Sequence, residues 1–420
     1  MRFHRQPISV DEAQARLLER VVPLDAEEVP LADAYGRVLA RPLYATYDLP
    51  PFDRSPLDGY AVRAEDTAAA TPAAPVALEV IETVAAGEVP RLPVGRGQAC
   101  RIMTGAMIPQ GADAVVMFEQ TENPAQPVDV VRVKRAMRPG ENIALQGEEV
   151  AKGSCVLPAG ALIGAGALAL LATFGAVSVA VRRRPRVGIV ATGSELVEPD
   201  QPLAPGKIRN SNGMMLAGMI RDAGGTPVLL GCLPDEAKAA KQKLSEWTQQ
   251  VDLLVTTGGI SVGDFDLMAD LFADPSFQRL FDRVAMRPGS PTSAAVYHGR
   301  LICALSGSPS ACFVGCELLV KPLLAKMLGK PRPLPAPVEA ILAQDYRKPC
   351  PYPRYLRGRL RAEQAVLYAD PDGNDKAGRL ATLHQNNCLI IIPPGGGGRQ
   401  AGARVSVIPL ANSGPDCLGS

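Results

Sequence analysis

The chain has 420 residues, of which 47% are apolar and 21% charged, a composition of folded globular proteins that excludes an intrinsically disordered chain. Its length is too great for one ordinary core and predicts two to four domains. Forty-four basic and 43 acidic side chains leave a net charge of +1, and aromatics are only 5%, so nothing draws the chain to nucleic acid or to an anionic membrane.

The nine cysteines form no C-x-x-C pair and there are three histidines, which argues against a zinc site and for unpaired thiols in a reducing cytoplasm. The N-terminal MRFHRQPISVDEAQ lacks the apolar core of a signal peptide.

In chain order, Ser9-Val10-Asp11-Glu12 has the form of a capping box and predicts an amphipathic helix to about Val21. A second helix is expected over Leu31 to Ala40. Next comes Pro50 to Arg63, P-P-F-D-R-S-P-L-D-G-Y-A-V-R, where prolines fix φ and Gly59 permits a tight turn, so that Asp53 and Asp58 are presented on a rigid loop. Short apolar runs at Val76–Ile81, Cys100–Met103, Ala114–Phe118 and Val128–Val133, divided by Gly and Pro, predict a small β module. Cys155 to Val181 carries no charge, but its glycines and Pro158 predict a short buried helix near Ala165–Phe174 and a strand at Val177–Val181, not a membrane span.

From Arg186 onward strands and helices alternate: Val187–Ala191, helix Met214–Ala223 closed by Gly224-Gly225, Val228–Cys232, helix Glu236–Gln250 capped by Asp235, Leu253–Thr257, Leu301–Leu305, and a long helix from about Ser310 to Lys326. That alternation implies a parallel sheet with right-handed crossovers. Prolines 331, 333, 335 and 337 mark a stiff linker before a small β-barrel or sandwich. The expected architecture is a multidomain α/β protein: a connector domain at 1–45 and 147–181, a small β-rich domain at 46–146, an α/β parallel-sheet domain at 182–329 and a C-terminal β-barrel domain at 338–412.

Ligands of open parallel sheets bind outside the carboxyl ends of the strands. The expected strands there run into Thr192-Gly193-Ser194-Glu195, Asp235, the loop from Gly258 to Asp266, and Ser306-Gly307-Ser308-Pro309. Glycine- and serine-rich turns beside helix starts bind anions, because backbone N–H groups point outward unpaired. Glu195, Asp235, Asp264 and Asp266 would repel a phosphate unless a divalent cation lies between, so a Mg²⁺-bridged phosphate or pyrophosphate ligand is expected. For either Glu195 or Asp235 alone, a solvated side chain or a helix cap is the commoner reading; four acidic residues with three glycine-rich loops reverse it. No G-x-G-x-x-G, P-loop or nucleophile-elbow pattern is present.

The loop at 50–63, TTGGISVGDFD (256–266), ATGSEL (191–196), IRNSNGMML (208–216), LPDEA (233–237), RPGSPTSAAV (287–296), ALSGSPSACF (304–313), RIMTGAMIPQGADAVV (101–116) and GENIALQGEEV (140–150) together resemble the MoeA/gephyrin E-domain family, the molybdopterin molybdenumtransferases, over essentially the whole chain. The resemblance implies a homodimer with four domains per subunit and a cleft between the sheet domain of one subunit and the small β module of the other. It implies insertion of molybdenum from molybdate into adenylylated molybdopterin with release of AMP, in the cytoplasm, with Mg²⁺ as cofactor and a MogA-type adenylyltransferase as a candidate partner.

Matched to the family, Asp58, Thr104, Glu195, Asp235 and Asp266 are the expected catalytic residues, with Glu195, Asp235 and Asp266 holding the metal. Substrate binding is expected from Ser194, Asn210, Ser211, Gly258, Gly259, Ser261, Gly263, Arg287, Gly289, Gly307, Ser308 and Pro309. The chain departs from the family pattern at Arg54, Pro56, Glu149 and Ala144–Gln146, and Ser290 and Ser308 stand where lysine and asparagine are usual. Two other readings compete: a MogA-like molybdopterin adenylyltransferase, against which the two β modules argue, and a non-catalytic dimeric scaffold of the same fold.

Overall fold

The computed structural model describes residues 6–122, 128–259, 267–373, 380–395 and 397–410. These form two compact units: one of residues 1–41, 159–165 and 178–420, the other of 42–158 and 166–177.

The first unit is built on a six-stranded sheet: β1 (Arg186–Thr192), β2 (Thr226–Leu233), β3 (Leu253–Thr257), β4 (Gln278–Phe281), β5 (Ser293–Tyr297) and β6 (Arg300–Leu305). Spatial order is β2-β1-β3-β6-β5-β4. The first four are parallel, as the alternating pattern requires, whereas β5 and β4 add an antiparallel edge that the sequence reading did not foresee. The connection from β1 leaves toward β2 and that from β2 returns to β3 on the other side, so the chain changes direction across β1. Such a switch point opens a crevice at the strand ends.

β3 is buried at every residue, and β1 at every residue but the first. Continuous apolar strands of this kind are covered on both faces by helices. Helix α1 (Val10–Leu18), α2 (Ser211–Asp222) and α3 (Ala237–Thr248) supply part of that cover, and α4 runs Pro309–Gly315, widens into a π turn over Cys316–Val320, and resumes at Lys321–Met327.

Ser9 caps α1 as expected, its hydroxyl accepting from Glu12 N at 3.1 Å, but the helix stops at Leu18. The β-branched pair Val21-Val22 and Pro23 favour extended backbone there. The helix expected over Leu31 to Ala40 is only a single 3₁₀ turn, Leu31–Asp33. Gly36 takes a left-handed φ of 71°, and Val38 and Leu39 then bridge to Leu162 and Val181, burying both in an extended conformation. Asp235 does not cap α3: Glu236 holds that position without a side-chain bond.

At the C-terminus, Val338–Leu342, Arg354–Glu363, Val366–Pro371, Cys388–Ile392 and Arg404–Pro409 close into a five-stranded barrel, bearing out the alternation read there. Arg287 stitches the barrel to the sheet, its N donating to Pro353 O at 3.0 Å and its O accepting from Tyr355 N at 2.8 Å.

In the second unit a five-stranded sheet has the order Ala114–Met117, Gly59–Val62, Gln98–Ile102, Val76–Val84, Val130–Val133. The helix expected near 165–174 is present as Ala165–Thr173, but only Leu171 of it is buried. Its sequence, apolar all round, reads as core, yet in a single chain most of its surface is open. Among the described residues no helix is long and apolar enough to cross a membrane.

The described cysteines are unpaired. Burial pushes the Cys303, Cys312 and Cys388 thiols up to about 12, so none of the three supplies a thiolate near neutral pH.

At the amino ends of β1 and β3, Asp252 accepts from Arg183 Nη1 at 2.8 Å, Arg183 Nη2 at 2.9 Å and Arg186 N at 2.8 Å. Burial pushes its carboxyl up, but those donors outweigh burial and hold it below the usual carboxylate range. Asp252→Ala should cost about 2 kcal/mol of stability at neutral pH. Because the folded-state pKa is depressed, that contribution is present above the ordinary carboxylate range and lost as pH falls through the folded value. Thermal melts of variant and wild type should therefore converge in acid.

Candidate active site

Where the switch point opens, three loops meet almost backbone to backbone. β1 ends at the buried Thr192, and β3 at Thr257, followed by Gly258 and Gly259 with φ of +94° and +65°. A Cβ on Gly258 would lie 2.4 Å from Thr192 O, and one on Gly307 would lie 3.3 Å from Gly258 Cα. Only glycine fits the Gly258 position, on both conformational and steric grounds. Gly258 N donates to Leu305 O at 3.0 Å, tying the second loop to the third.

These loops form the floor of a cavity of about 990 Å³. The amino end of α2 closes one side with Asn210, Ser211 and Asn212; Asn210 caps the helix, accepting from Gly213 N at 3.0 Å. The segment Arg287-Pro288-Gly289-Ser290-Pro291 closes another, and the barrel contributes Lys348, Tyr352 and Arg354. Charge is lopsided: among the described residues lining the cavity, Arg209, Arg283, Arg287, Lys348 and Arg354 face one carboxylate, Glu195. A glycine floor and a guanidinium-rich wall suit a ligand carrying phosphate-like oxyanions.

Of the residues expected from sequence, the cavity gathers Glu195, Asn210, Ser211, Gly258, Gly259, Arg287, Gly289, Gly307, Ser308 and Pro309. Ser194 and Asp235 are exposed and do not line it; Ser194 instead offers its carbonyl to Lys207 Nζ. Ser261, Gly263, Asp264 and Asp266 lie outside the described residues. Among the described residues no group of three acidic, histidine or cysteine side chains could hold a metal. Magnesium needs only one or two carboxylates when phosphate oxygens complete its shell, and Glu195 on the cavity wall fits that requirement.

Sequence reasoning named Thr192 only as part of a strand-end loop and gave no role to Arg209, Asn212, Arg283, Lys348, Tyr352 and Arg354. The last three arrive from a barrel whose Lys348 lies 35 positions beyond the end of the last sheet motif at Phe313, and only the cation-bearing, proline-stiffened run Lys348–Arg354 could have flagged them.

The second unit carries its own polar constellation. Asp58 Oδ1 accepts from Thr104 N at 2.6 Å and from Thr104 Oγ1 at 2.8 Å. These two bonds, backbone first, together with the nearby Arg101 guanidinium, hold the exposed Asp58 carboxyl below its ordinary range. The loop is as rigid as its prolines imply. Arg54 exchanges backbone bonds with Ala144, and the buried Ser55 accepts through its carbonyl from Gly105 N at 2.7 Å. A Cβ on Gly59 would sit 2.0 Å from Val116 O, which accounts for the glycine after Asp58. Asp53 is a loop brace, accepting from Gln146 N at 2.7 Å.

Sheet, cavity and barrel define the class: a multidomain α/β protein whose sheet domain matches a probable molybdopterin binding domain over residues 188–326. The N-terminal region of MoeA (domain I and II) matches residues 8–175 and its C-terminal region (domain IV) residues 339–410. The chain belongs to the MoeA family. It is 44% identical over 405 residues to a molybdopterin molybdenumtransferase of Bacillus subtilis (strain 168), covering 96% of this chain and 94% of that protein. A molybdopterin molybdenumtransferase of Staphylococcus epidermidis is 40% identical over 404 residues, with 96% of both chains covered. Among solved structures, the molybdopterin biosynthesis moeA protein of Pyrococcus horikoshii OT3 superposes with a TM-score of 0.83 at 33% identity, over 96% of this chain and 100% of that one.

Two outcomes follow from the geometry. Gly258→Ala forces a methyl against the Thr192 carbonyl and should weaken pyrophosphate binding by more than about tenfold in calorimetry. Thr104→Val removes the hydroxyl donor to Asp58, so the Asp58 carboxyl rises toward its ordinary value. The acid limb of the activity–pH profile should then move to higher pH.

Proposed function

We propose that the cavity at the sheet's switch point binds adenylylated molybdopterin and that the chain inserts molybdenum from molybdate into it, releasing AMP. Relatives of 44% and 40% identity over nearly full length are molybdopterin molybdenumtransferases, and the chain is a transferase of molybdenum cofactor biosynthesis like them. The observation that carries the assignment of this cavity is that, among the described residues lining it, five cations stand against one carboxylate beside the Gly258–Gly259 turn.

In this reading the Gly258–Gly259 turn cradles the diphosphate, and Arg283, Arg287, Lys348 and Arg354 balance charge on the substrate's phosphates and on molybdate. Glu195 would hold Mg²⁺, with Asp266 as the second acidic candidate from the sequence. The ion supplies Lewis-acid polarisation of the phosphoryl oxygens when bound. Asp58, held below its ordinary range by Thr104, would come from the second copy of the homodimer and act as an acceptor that orients molybdate or the attacking oxygen. The sulfur that binds molybdenum belongs to the pterin. The described thiols do not line the cavity.

We place the working protein in the cytoplasm as a homodimer. The exposed apolar helix Ala165–Thr173 supports a surface for a second copy, which sedimentation would register as twice the chain mass.

Incubation with adenylylated molybdopterin, molybdate and Mg²⁺ tests the reading. AMP release that requires molybdate is the expected result. Formation of adenylylated molybdopterin from ATP and molybdopterin, with no molybdate-dependent step, would favour an adenylyltransferase, and no turnover of any kind would favour a scaffold.

A further inference from the structure

We infer that Asn212 is a positioning residue: a buried amide that fixes the spacing of the three loops on which substrate rests. It sits one residue into α2, only 8% exposed, and lines the cavity. Its Nδ2 donates to Thr257 Oγ1 at 2.8 Å, at the end of β3, and to Gly307 O at 2.8 Å, in the loop after β6. Thr257 Oγ1 in turn donates to Ser306 O at 3.2 Å. One helix start and two strand ends, separated by 45 and 95 residues in sequence, are thus joined through a single side chain. The same two strand ends carry Gly258 and Gly307, whose backbones are already in near contact.

The chemistry of the amide separates this role from plain stabilisation. Asn212 Oδ1 is buried and has no hydrogen-bond partner among the described residues. A buried amide that leaves its acceptor unsatisfied loses much of what its two donors contribute, so it is a poor choice as a structural brace. A brace alone would be served as well by apolar packing. What Asn212 does that packing cannot is draw the carbonyls of Ser306 and Gly307 inward, directly and through Thr257, fixing the orientation of the peptide groups that face the ligand. None of this requires Asn212 to touch substrate.

The inference rests on the cavity being the substrate site, and the experiment keeps the two apart. Asn212→Ala should raise KM for adenylylated molybdopterin about tenfold, with kcat within about twofold and little change in Tm, as expected when a bond that shapes the binding surface is removed. Because Asn212 and Thr257 hold the same loop, Asn212→Ala/Thr257→Val should lose less than the product of the two single losses. Asn212→Asp gives a signature that a structural role would not. Its carboxyl, buried against the Gly307 carbonyl, titrates above the ordinary range, donates to that carbonyl when protonated, and repels it when ionised. The ratio of variant to wild-type kcat/KM should therefore fall as pH rises.

An unchanged KM in Asn212→Ala, multiplicative losses in the double variant, or a flat Asn212→Asp ratio would each overturn the inference. Should Asn212→Ala fail to fold, the Asn212→Asp pH series decides by itself. Arg287→Ala separates the two claims. If it raises KM while Asn212→Ala does not, the cavity assignment stands and the positioning role falls; if neither raises KM, both fall.

Discussion

Close approach of backbone at the carboxyl ends of β1, β3 and β6 is the constraint on which the cavity depends. Thr192, Gly258 and Gly307 approach until no side chain fits between Gly258 and the Thr192 carbonyl. Two consequences follow directly. Peptide dipoles, not side chains, make the floor, so charge selectivity must come from the walls. And the walls must come from far away in sequence, because the residues nearest the floor have been reduced to glycine and serine to allow the contact.

Division of labour between floor and wall explains the attached barrel. The sheet domain alone contributes Arg209, Arg283 and Arg287, and Arg209 is partly spent, its Nε bonded to Pro199 O at 3.0 Å. Lys348 and Arg354 come from the barrel, which is locked to the sheet on both sides of Arg287 by paired backbone bonds. A guanidinium on the cavity wall is thus carried by the same residue that joins the two domains. Ser290 lines the same cavity and brings no charge of its own.

Much of this was legible in the sequence, for identifiable reasons. The parallel strands were readable because strands buried on both faces are continuous apolar runs, and the glycine turns because φ above zero leaves few alternatives. The Asp58 loop was legible as rigid because proline and glycine act locally. What failed was local pattern overruled by distant partners. Val38 and Leu39 look helical until Leu162 and Val181 pair with them, and Asp235 reads as a cap until the chain turns one residue later. The Ala165–Thr173 helix reads as core because nothing in its own residues says that a single copy leaves it open. Asn212 was invisible because its significance lies in contacts across 45 and 95 residues.

The placement of sulfur has a further consequence. Cys303, Cys312 and Cys316 are sealed in the sheet's core, and no cysteine lines the cavity among the described residues. On the proposed reading, molybdenum in transit there meets no thiolate from the described residues, and the soft anionic sulfur comes from the pterin. Capture of the metal is therefore biased toward the product from the outset. On the proposed reading, off-loading the finished centre demands no exchange of thiolate ligands with the described residues, which leaves departure of the diphosphate's fragments from the cationic wall as the grip to be released.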